Sequence, residues 1–166
     1  MPGRRGGRCH DGAVAISVDA LVSYVERAVD DMAGIVGALG DDLAGQRPPL
    51  PGANTPYQIL RHCLGVMEYW GGAVVAGREV QRDRDAEFRA AGPVAGLIAA
   101  AGEAKIRFRA DAALAQPDGP PRASHPSAAS KGLELTSQGH ALLHVLEEVC
   151  QHLGQLELTR DVLRAG

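Results

Sequence analysis

The sequence predicts an all-α four-helix bundle, and three observations lead there. Four stretches repeat apolar residues at three- and four-residue steps, Pro/Gly-rich segments separate those stretches, and only 4% of the residues are aromatic. The apolar mass is mostly alanine, glycine, leucine and valine, which suits helices packed through small side chains better than a β-sandwich. A chain of 166 residues can bury one core. Residues 1–16 read as a disordered N-terminal tail and 17–166 as the bundle.

The first helix carries Val18, Leu21, Val22, Val25, Val29, Met32, Ile35, Val36 and Leu39 on one face, with Ser17 as its N-cap and a stop near Gly40. The second has the clearest start. Thr55 stands at the N-cap, Pro56 takes the first helical position, and Gln58 follows three residues after the cap, so that a capping box forms. It runs to about Gly77 with apolar residues on both sides, which makes it central. Arg78 to Arg89 is charged and reads as a solvated connection; contact of Arg82 and Arg84 with an acidic group of a cosubstrate is the alternative. Pro93 opens a third helix that ends before Pro117. Gln116 to Ser130 reads as a long loop, either a lid or a mobile crossing. The fourth helix spans about Ser137 to Leu163.

Composition excludes several function classes. The formal charge is −3 with both signs interspersed, unlike the basic stripe of a nucleic-acid binder. Arg4, Arg5 and Arg8 cluster among glycines, too few to argue for a phosphate-binding arm. No apolar run approaches the ~20 residues of a membrane span, and the tail lacks the apolar stretch of a secretory signal. The 3 cysteines, Cys9, Cys63 and Cys150, are an odd set. Two fall inside helices and read as small buried hydrophobes, which fits a reducing cytoplasm.

Three polar side chains do not suit a plain bundle. Glu148 and His152 are four apart on the fourth helix, so they project together on a stripe shared with Ala141, Val145, Leu156 and Thr159. A carboxylate and an imidazole on a buried stripe are costly unless both are paired. A divalent cation would satisfy both, and so would a metal-free hydrogen-bonded pair. His62, in the apolar middle of the second helix with Ile59, Val66 and Tyr69, is the candidate third ligand. His144 extends the run to H-x-x-x-E-x-x-x-H, but about 40° of drift per four residues keeps all three from aiming at one ion. It is therefore placed as a cavity-lining group. His140 lies within reach of solvent, and Glu147 faces it. Cys63 points about 100° away from His62 and is left out of the ligand set.

The run His144-Val-Leu-Glu147-Glu148-Val-Cys150-Gln151-His152-Leu-Gly154-Gln155 resembles the last-helix signature of the DinB/YfiT-like metalloenzyme family. The segment Asn54 to Trp70 is similar to that family's second helix, which carries its first metal histidine, and Gly77 to Phe88 is similar to the connection in its mini-circle-type branch. The resemblance covers roughly residues 17 to 164. Many members have histidine at both last-helix ligand positions. Glu148 at the first of them gives a His-Glu-His set like that of mycothiol-dependent maleylpyruvate isomerase. The resemblance thus implies a DinB/YfiT-like bundle with one divalent metal, zinc first and nickel second, held by His62, Glu148 and His152. It further implies an S-transferase or isomerase that uses mycothiol or a similar low-molecular-weight thiol on a small electrophile. His144 and Gln155 are the candidate cofactor-binding residues. The expected partners are that thiol, the electrophile and a second copy of the chain, with no nucleic acid and no membrane. Two rivals are a metal-dependent hydrolase, which would need a further base beside the ion, and a non-catalytic metal- or small-molecule-binding stress protein.

Overall fold

A computed structural model of the chain describes residues 15–123 and 136–165. Most of the expected tail, residues 1–14, about half of the expected loop, residues 124–130, and the residues 131–135 that follow it lie outside the described residues. The described residues are helical, without strands: α1 (Val18–Ala44), α2 (Pro56–Met67), a π-helical continuation of α2 (Glu68–Ala76), the short α3 (Arg84–Glu87), α4 (Val94–Ala112) and α5 (Gln138–Ala165). The four long elements form the bundle. α1 packs on α5 and α4, and α2 lies against α5, α1 and α4. Val25, Val29, Met32 and Val36 of α1, Leu60 and Val66 of α2, Phe108 of α4 and Val145 and Leu156 of α5 are among the residues that fill the core. No helix among the described residues is long and apolar enough to cross a membrane.

Local signals place the starts of the helices. Ser17 accepts from the Ala20 amide at the head of α1. At α2 both halves of the capping box are formed: Gln58 N donates to Thr55 Oγ1 and Thr55 N to Gln58 Oε1, each at 3.1 Å. One expectation about an end is corrected. α1 does not stop at Gly40; that residue adopts φ 66°, kinks the helix, and lets it resume to Ala44. The resumed turn has a purpose, because Asp41 Oδ1 accepts from Val94 N at 2.7 Å and caps α4, whose own N-cap, Pro93, has no polar side chain.

α2 also departs from plain α geometry. From Glu68 onward the helix widens into the π form and ends at Gly77 in the left-handed conformation, φ 75°. Gly71 and Gly72 permit close neighbours there: a Cβ on Gly71 would come within 2.7 Å of Phe108, and one on Gly72 would overlap the Arg78 guanidinium. Arg78 ties the segment together. It forms a bidentate pair with Asp111 of α4, both bonds 2.9 Å, and donates to Glu68 at 2.9 Å. Cys150 is a further correction. It is exposed on the outer side of α5, whereas Cys63 is fully buried as expected.

Candidate metal centre

His62 stands in the buried middle of α2 with 3% of its side chain exposed, and Glu148 faces it from α5 with 9% exposed. His62 Nε2 lies 3.5 Å from Glu148 Oε2, and His152 Nε2 lies 3.6 Å from the same oxygen. One ligand atom from each of the three residues lies within 4.8 Å of the other two. Zinc–nitrogen and zinc–oxygen bonds of about 2.0–2.2 Å put tetrahedral ligand atoms about 3.3–3.6 Å apart; the two distances to Glu148 Oε2 match that spacing, and the cluster, all within 4.8 Å, is compatible with a metal site.

The far nitrogens of the two imidazoles settle what the near ones present. His62 Nδ1 sits 2.8 Å from Glu87 Oε2. A carboxylate oxygen can only accept, so Nδ1 carries the hydrogen. Arg82 Nη2 is also near, at 3.4 Å from Nδ1, but a donor facing a protonated nitrogen at that distance is the weaker contact. His152 Nδ1 donates to Gln155 Oε1 at 2.7 Å. With both Nδ1 atoms as donors, neutral imidazoles turn their Nε2 lone pairs toward the Glu148 carboxylate. Such a convergence of lone pairs calls for positive charge between them, either added protons or one cation.

Exposure is uneven around this point. His152 is 21% exposed and Gln155 lies at the surface, whereas His62 and Glu148 form the inner wall. His144 is buried, edge-on to Trp70 at 4.8 Å between ring centroids, with its Nε2 at 3.8 Å from Glu148 Oε1. It borders the second carboxylate oxygen, not the point where the other three meet. Glu147 is 60% exposed, and His140 is exposed, both as expected.

The expectation of a solvated connection over Arg78 to Arg89 is overturned at its most consequential residues. Glu87 is 4% exposed and Arg82 only 10%. Arg82 Nε donates to Glu87 Oε1 at 2.7 Å and Nη2 to Oε2 at 2.9 Å. Burial alone would raise the Glu87 carboxyl, but hydrogen bonds from His62 and Arg82 outweigh it and hold the group below its ordinary value. Asp83 caps α3 through the Ala86 amide and so turns Glu87 inward. Phe88 stacks on the His62 ring at 4.7 Å and 28°, and Arg84 lies over the outer face of Phe88. A single aromatic residue in an otherwise charged stretch was the available signal that this segment packs against something. The four-residue helix that aims it has no periodicity to read.

These features define a class: an all-α bundle with an interior His/Glu/His cluster compatible with a metal ion. The family model for mycothiol-S-transferase matches residues 20–165, and the chain belongs to that family, a DinB/YfiT-like one. No curated protein matches the chain.

Proposed function

We propose that the protein is a metal-dependent S-transferase that joins a low-molecular-weight thiol of the mycothiol kind to a small electrophile. One observation carries this reading: a potential ligand atom from each of His62, Glu148 and His152 comes within 4.8 Å of the other two inside the bundle, with His152 partly exposed on the outer side. Membership of the family supports a thiol as cosubstrate. His62, Glu148 and His152 would hold the ion; zinc is the expected one, and nickel accepts the same donors. Bound there with positions left open, such an ion supplies Lewis acidity, which favours the thiolate form of a thiol, the form that attacks electrophiles.

The chain's own residues set the conditions for that chemistry. Two neutral imidazoles and one carboxylate leave a divalent charge half compensated, which favours an anionic sulfur over a neutral ligand. His62, Glu148 and Trp70 keep water from the inner side. His144 borders Glu148 Oε1 and restricts rotation of the carboxylate, and Gln155 fixes the tautomer of His152 at the exposed rim. Hydrolysis is disfavoured, because Glu87, the second buried acid beside the cluster, is fully engaged by Arg82 and His62 and is not free to act as a base. Pairing of two copies through the exposed Leu143, Leu158 and Val162 of α5 completes the proposal.

Turnover of monochlorobimane with mycothiol, bacillithiol, glutathione or no thiol tests the reading. The expected result is conjugation above the uncatalysed rate with at least one thiol, lost in His152→Ala. Rates equal to the uncatalysed reaction with every thiol would remove the transferase.

A further inference from the structure

Glu87, 4% exposed, makes three charge-assisted contacts, and only two of them are to Arg82. An Arg82–Glu87 pair serving only to close the fold would have no need of the third, the 2.8 Å bond from His62 Nδ1. That bond determines which nitrogen of His62 bears hydrogen, and so which one offers a lone pair toward Glu148 and His152. The Phe88 ring, stacked on the imidazole face, restrains the same side chain in the perpendicular direction. Residues 82–88 therefore hold His62 both by its edge and by its face.

Gly65 supplies the space. It lies three residues after His62 on α2, on the side that α3 covers, and a Cβ built on it would overlap Glu87 Oε1. The carboxylate occupies the position of the missing side chain. Any larger residue at 65 would push it off the line between Arg82 and His62.

We infer that Glu87 is a positioning residue for the metal centre, fixing the tautomer and aim of His62 from a niche that Gly65 leaves open. The inference rests on the proposed metal-binding role of His62, Glu148 and His152. A carboxylate behind a ligating imidazole raises its basicity and orients it, and losing such a partner typically weakens metal binding about 10–100-fold.

Zinc affinity measured by competition with a chromophoric chelator provides the test, on the wild type, His152→Ala, Glu87→Gln, Glu87→Ala, Gly65→Ala and the Gly65→Ala/Glu87→Ala double variant. Circular dichroism melts establish that each is folded, and Glu87→Gln, nearly the same size as the native residue, guards against collapse of the niche. Both Glu87 variants are expected to bind zinc about 10–100-fold more weakly. Gly65→Ala should weaken binding as well, yet add nothing in the double variant, where the group it displaces is already gone. That non-additivity shows that Gly65 acts through Glu87; a positioning role is told from a structural one by Glu87→Gln, which keeps the packing and the melting temperature yet binds zinc more weakly. Zinc bound by the wild type and lost in His152→Ala, with affinity unchanged in the Glu87 variants, would overturn this inference and leave the metal centre intact. Absence of zinc binding in the wild type would overturn both. Losses that add in the double variant would remove Gly65 from the account.

Discussion

Cys63 and His62 are neighbours in sequence and opposites in chemistry. The imidazole points at the cluster, while the Cys63 thiol is fully buried among apolar groups. Burial pushes that thiol up, and the nearby Glu148 and Glu87 carboxylates push it further, so it stays protonated and unreactive. Cys150, on the outer side of α5, is open to reagents. Iodoacetamide applied to the native protein is expected to modify Cys150 and spare Cys63 in a peptide map; comparable labelling of both would contradict the packing around α2. At this scale the sequence told much about His62, Glu148 and His152, because a four-residue step on one helix and a histidine in an apolar stretch are local patterns. It told little about Cys150, whose side of α5 follows from which neighbours flank that helix. For Glu87 and Arg82 it pointed the wrong way, since charged residues usually face water and only a tertiary partner makes them exceptions.

Among the elements, the widened end of α2 has the most to do with the site. It carries Trp70 against His144 and ends where Arg78 reaches back to Glu68 and across to Asp111. Gly71 lets the Phe108 ring, which is 1% exposed, press against this segment. Gly71→Ala would force that ring to move inside a filled core, and overpacking of this kind costs about 1–3 kcal/mol. Thermal denaturation of the variant should show a corresponding loss. An unchanged melting temperature would mean that α4 does not lean on the glycine as described. The capping box of α2 was legible because it is written in four consecutive residues, Thr55 to Gln58. The π form was not, because Gly71 and Gly72 look like ordinary weak helix positions until Phe108 and Arg78 are placed against them. Gly40 was read as a terminus for a similar reason: a glycine marks a break in the helical pattern, while the resumption of the helix and the capping of α4 by the next residue, Asp41, required the fold.

For the whole molecule, topology turns separate signals into one site. α2 and α5 are far apart in sequence and adjacent in the bundle, which brings His62 to Glu148 and His152, and the short α3 seals the back of His62 with Glu87. The all-α class followed from periodicity, Pro/Gly punctuation and composition, with no tertiary partner needed. The meeting of the two helices was raised by a histidine in an apolar stretch and preferred over a metal-free pair only through resemblance to a family, since nothing in the spacing of either helix names its partner. The central claim is that this meeting point holds a cation. Elemental analysis of protein purified after growth with zinc, compared with His152→Ala and with His140→Ala as an exposed-histidine control, tests it most directly. The account predicts about one ion per chain in the wild type and in His140→Ala, and a large loss in His152→Ala, because removing one of three ligands from a folded site sacrifices most of its binding energy. Equal metal content in all three proteins would contradict it.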